Sequence, residues 1–160
     1  MDEKDEARDV TVYMQGVKVN LSPNEFHRYA THYYKCKRDF APPDDKVSPV
    51  PYFLLCRAIE LEIKAKHLTR LTLKEVEKFG HRLLKAYKAL DAQEQILSQN
   101  ELAVLKTADE PYRKTDFAYF IPDHAHPLRA YSQYPDLDML DTIAKKLIDS
   151  GSTNVGITPP

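Results

Sequence analysis

Pro51-Tyr52-Phe53-Leu54-Leu55-Cys56-Arg57-Ala58-Ile59-Glu60-Leu61-Glu62-Ile63-Lys64-Ala65 is the stretch that decides the fold. Phe53, Leu54, Leu55, Cys56, Ala58, Ile59, Leu61, Ile63, Ala65 and Leu68 fall at nearly every angle of a helix that should open near Pro49–Pro51 and close near Leu68. A helix apolar almost all round is packed on several sides, which makes it the centre of a core. Three charges interrupt it. Arg57, Glu60 and Lys64 lie at i, i+3 and i+7 and so share one face. A charge carried into a core is costly unless it is paired. Two readings of the stripe follow. Glu60 pairs internally with Arg57 or Lys64, or the three groups project into a groove or a dimer seam.

Helices are expected on both sides of this segment. Ser22-Pro23-Asn24-Glu25 combines a capping box with proline at the first helical position, and Phe26, Tyr29, Ala30, Tyr33 and Tyr34 continue the helical spacing to about Asp39. Ala41-Pro42-Pro43-Asp44-Asp45 forces a loop. Thr72-Leu73-Lys74-Glu75 is a second capping box opening a short helix, and Phe79-Gly80-His81 breaks it and begins another that runs to about Leu90. Ser98-Gln99-Asn100-Glu101 is a third box, with Glu110-Pro111 as the expected stop. Asp136 caps a last amphipathic helix whose Leu137, Leu140, Ile143, Ala144, Leu147 and Ile148 face the core, and Gly151 ends it. The prediction is an all-α antiparallel bundle of four to five helices over residues 22–149. A charged leader with a short extended arm near 10–20 precedes it (residues 1–21), and a loose tail follows (150–160).

Composition narrows the class. The 160 residues suit one domain, and 42% hydrophobic with 29% charged residues describes a globular protein. Only 4 glycines disfavour a turn-rich β architecture. No apolar run approaches the roughly 18 residues of a membrane span, and the acidic start Met1-Asp2-Glu3-Lys4-Asp5-Glu6 is no signal peptide. Cys36 and Cys56, without CxxC spacing, are expected to be reduced and buried in a cytoplasmic protein. The net charge of −1 is uneven: residues 57–88 hold nine Lys/Arg against four Asp/Glu (+5), and residues 89–160 six against eleven (−5). Solvated helix faces explain this, as does a basic patch meeting an anionic partner or the acidic half of a second subunit.

Three further places invite chemistry. His81 follows Gly80 near a helix N-terminus, where the dipole disfavours its cation, so it should be neutral and bonded to a side chain such as Glu60. Tyr112-Arg113-Lys114-Thr115-Asp116-Phe117-Ala118-Tyr119-Phe120 interleaves cations with aromatics. Such a run caps one end of a core or clamps a base and a phosphate. His124-Ala125-His126 has metal-like spacing, but two loop histidines without further ligands do not make a metal site. Neither a metal nor a cofactor is expected.

Pro51–Ala65 resembles the second helix of the HEPN superfamily, with Ala58, Glu60, Lys64 and Ala65 matching its A-x-E-x-x-x-K-A core. Phe79-Gly80-His81-Arg82-Leu83 is similar to that family's G-H-[D]-L turn, and Tyr112–Phe120 followed by Tyr134-Pro135-Asp136-Leu137 resembles the downstream pattern of uncharacterised bacterial members. The likeness spans roughly residues 22–149. It implies the helical bundle and a tendency to dimerise. Arg82 stands where many members carry Asp, and Arg57 where histidine is common. HEPN ribonucleases use an R-x(4–6)-H motif, which no arginine here satisfies; Arg28 and His32 have three residues between them.

The expectation is therefore a non-catalytic HEPN-like domain, as a homodimer, that binds a nucleotide, RNA or a protein partner. Glu60, Lys64 and His81 would form a polar cluster between helices, with Arg57 and Arg82 at its rim and Tyr112, Arg113 and Tyr119 nearby. One alternative is a divergent ribonuclease or toxin with His81 as base and Arg57 or Arg113 on the phosphate. Another is a purely structural scaffold.

Overall fold

The computed structural model describes residues 22–42, 44, 48–115, 117 and 134–152. These form six helices and one 3₁₀ turn, with no strand among the described residues. The helices are α1 (Pro23–Asp39), α2 (Val50–His67), α3 (Leu73–Glu77), α4 (Leu83–Lys88), α5 (Gln99–Arg113) and α6 (Leu137–Ser152), and the 3₁₀ turn is Ala92–Glu94. The all-helical expectation holds. The arm near 10–20, residues 153–160 of the tail, Tyr119, His124 and His126 lie outside the described residues.

The starts follow from the caps. The Ser22 hydroxyl accepts from the Glu25 N–H at 3.3 Å. Thr72 and Ser98 each form a full capping box with Glu75 and Glu101. Asp136 accepts from the Met139 N–H at 2.8 Å. Each cap satisfies a backbone donor that the helix leaves orphaned and contributes about 1 kcal/mol.

Cross-helix contacts fix the directions of the long helices. His27, early in α1, meets Glu62, late in α2, while Arg57 lies over the Tyr33 ring. Tyr112, late in α5, meets Phe53, early in α2, and Glu101, early in α5, meets Lys146 on α6. Tyr34 and Lys37 on α1 both bond Asp141 on α6. Thus α1, α2, α5 and α6 run alternately up and down, and the short helices α3 and α4 fill the connection between α2 and α5.

The core forms around α2. Leu55, Cys56, Ile59 and Ile63 are fully buried against Leu83 and Tyr87 of α4, Leu105 of α5, and Leu140, Ile143 and Leu147 of α6. A smaller cluster of Ala30, Ala58, Leu61 and Ile148 seals α1 to the bundle. Tyr52, Phe117 and Tyr134 pack ring against ring at one end, with centroids 4.9–5.5 Å apart. Phe117, from the run that follows Tyr112, thus caps this end of the core.

Several local expectations are corrected. Helix α5 does not stop at Pro111 but continues to Arg113, because Tyr112 is held by tertiary contacts to Phe53 and Glu60. Helix α6 passes through Gly151 to Ser152. Cys36 is exposed, not buried, while Cys56 is buried; both are free thiols. Tyr29 sits on the apolar spacing of α1 yet is 38% exposed.

Candidate functional site

Glu60 is the hub of the polar cluster. Its side chain is 3% exposed, and its two oxygens face different neighbours. Oε1 accepts from Arg57 Nη1 at 3.1 Å and from Lys64 Nζ at 2.5 Å. Oε2 accepts from His81 Nδ1 at 3.0 Å and from the Tyr112 hydroxyl. Helical spacing supplies the first two donors, and long-range packing supplies the others. Gly80 takes φ 56°, a left-handed turn that a side chain with Cβ resists, and this turn delivers His81 to α2.

Burial opposes the charge on Glu60 more than any single neighbour favours it. Lys64, the Tyr112 hydroxyl and His81 nevertheless hold its carboxyl below the usual range together. Burial, followed by the Glu60 carboxylate, pushes the Tyr112 hydroxyl far up, so Tyr112 is a neutral donor. A carboxylate only accepts, so His81 Nδ1 carries a proton and the half-exposed ring turns Nε2 away from the hub.

The structure thus brings together Arg57, Glu60, Lys64, His81 and Tyr112. The stripe is not uniformly buried, however: the Arg57 and Lys64 side chains keep 30% and 13% exposure. They reach a groove of about 420 Å³ between α1, α2 and α3. Arg82 and Arg113 lie elsewhere. They share an open cleft of about 570 Å³ with Lys85 and Lys88. His81 does not stand in a helix, since it precedes the first residue of α4 by two positions.

A second polar joint went unread in the sequence. On the other side of α2, Glu62 is 1% exposed and bonds His27 Nδ1 at 2.7 Å. Lys66, also buried, donates to Ser150 Oγ at 2.9 Å. Gly151 presses against Glu62 and His27: a Cβ there would collide with Glu62 Oε1. Burial raises the Glu62 carboxyl above its usual range, with His27 and Lys66 only partly opposing it. The available signal was the i, i+4 pair Glu62 and Lys66 on so apolar a helix. His67 is buried as well, stacked on Phe79, with Nε2 donating to the Ala86 carbonyl at 2.8 Å.

No family model matches this chain, and no curated protein or solved structure is significantly similar to it.

Proposed function

We propose that the chain is a non-catalytic RNA-binding domain that takes the phosphate backbone in the Arg82–Arg113 cleft. One observation carries this reading. Arg82, Lys85, Lys88 and Arg113 are all exposed on that cleft, and none pairs with a carboxylate among the described residues. Asp109 is the acidic residue lining it, and its Oδ1 already accepts from the Leu84 N–H at 3.0 Å. Four cations against one engaged carboxylate leave a local surplus of +3 in a chain of net charge −1. Such a concentration of positive charge favours a polyanion.

The state of the hub supports binding over chemistry. Glu60 is enclosed by four donors and acts as the anchor of the seam. The HEPN-like resemblance fits the same reading and adds a homodimer to the proposal. The free thiols of Cys36 and Cys56 support a reducing, cytoplasmic setting. Fluorescence anisotropy with a single-stranded RNA tests it. Log affinity should fall linearly with log salt, and Arg82→Glu with Arg113→Glu should weaken binding at least about tenfold. Absent or salt-insensitive binding contradicts it.

A divergent ribonuclease is the second reading, and the Glu60–His81 pair favours it. A buried carboxylate orienting a half-exposed imidazole is the arrangement a general base needs. Incubating the same RNA with the protein separates the two readings. The binding reading expects intact RNA; cleavage that His81→Ala abolishes, with the helical circular dichroism unchanged, favours the ribonuclease.

A further inference from the structure

The groove between α1, α2 and α3 is distinct from the basic cleft. Phe26, Tyr29 and Tyr33 of α1 form one wall, and Tyr29 is the most exposed aromatic among the described residues that line it. Leu73 and Val76 of α3 form the facing apolar wall. At the α2 side stand Arg57 and Lys64. Both donate to the same oxygen of Glu60, so two cations share one carboxylate and a positive charge is left over on the α2 side, facing the negative charge of Glu77 across the groove. The Arg57 guanidinium lies 5.9 Å from the Tyr33 ring centre, joining the charge to the aromatic wall. Glu77, exposed on the α3 side, repels a second anion there. The volume of about 420 Å³ suits a small organic molecule.

We infer that this groove binds a small planar aromatic ligand carrying one anionic group. The ring lies against Tyr29 and Tyr33, and the phosphate or carboxylate meets Arg57 and Lys64. A charge-assisted contact to the anion and ring stacking act together, so either half alone binds more weakly. A hydrogen-bond donor on the far ring edge is favoured by Glu77. A mononucleotide and an aromatic carboxylate share this chemistry. The inference stands apart from the RNA reading, because none of the cleft cations lines the groove.

Isothermal titration of the full chain with adenosine monophosphate, 2-naphthoate, adenosine and inorganic phosphate tests it. At least one aromatic anion should bind, at least about tenfold tighter than adenosine or phosphate. Binding by the first alone assigns the anion as phosphate, and by the second alone as carboxylate. Tyr29→Ala, at a position 38% exposed, should weaken that binding severalfold with the helical circular dichroism unchanged, and Arg57→Gln should weaken it more. Arg82→Glu should leave it unchanged, which separates this outcome from failure of the RNA reading. The inference is overturned if neither aromatic anion binds at millimolar concentration, if adenosine binds as tightly as its monophosphate, or if Tyr29→Ala has no effect.

Discussion

Glu60 and Glu62 stand two residues apart on α2, and both are nearly inaccessible, at 3% and 1%. Burial acts on them alike, yet their carboxyls move in opposite directions. Around Glu60 it is outweighed by Lys64, the Tyr112 hydroxyl and His81 acting together, and the carboxyl is held down. Around Glu62 it prevails over His27 and the more distant Lys66, and the carboxyl is pushed up. The number of donors that converge on a buried acid decides its charge, and depth alone does not. One joint is an ionised anchor. The other is a tight contact among α1, α2 and α6 in which the charge is tolerated with less support.

The largest expected effect comes from emptying the anchor. Glu60→Ala leaves Arg57 and Lys64 half-buried without their acceptor and should cost about 3–5 kcal/mol in urea denaturation. A cost below about 1 kcal/mol would mean that the seam rests on packing alone. Gly151→Ala tests the other joint. Its Cβ would collide with Glu62 Oε1, and the overpacking should cost about 1–3 kcal/mol. A neutral result would show that the Glu62 carboxylate or the end of α6 yields. His81→Ala should have the smallest effect. Its ring is 52% exposed and its bond is screened, so the loss stays within about 1 kcal/mol, a fall in Tm of about 2–4 °C.

Much of this contrast follows from how each joint is encoded. Arg57, Glu60 and Lys64 share a helix face by spacing, so their pairing was legible in the sequence. His81 was legible as a partner because Gly80 marks a break that turns the chain back. The boundaries at Ser22, Thr72, Ser98 and Asp136 were legible because capping is local chemistry. Tyr112 was placed near the cluster, but its role as a fourth donor was not legible, because Pro111 reads locally as a stop and only contacts with Phe53 and Glu60 carry α5 onward. The Glu62 joint was hidden for a similar reason. His27, Glu62 and Gly151 come from three separate helices, and nothing in the spacing of any one announces the others. The cleft was half legible: the positive surplus of residues 57–88 pointed to Arg82, Lys85 and Lys88, but Arg113 joins them only through the packing of α4 on α5.

The pH dependence of stability in Glu60→Gln and Glu62→Gln tests the contrast most directly. A carboxyl held low in the folded state adds stability above its unfolded pKa, and that stability is lost as pH falls through the lower folded value. A carboxyl pushed high does the reverse: stability falls as pH rises from the ordinary carboxylate range to the raised folded value. Urea denaturation of both variants and the parent chain, from pH 3 to pH 7 in about unit steps, should therefore give opposite slopes. Glu60→Gln should cost more at the neutral end than at the acid end, and Glu62→Gln should cost less. Parallel slopes would contradict the assignment of Glu60 as the ionised anchor of the bundle.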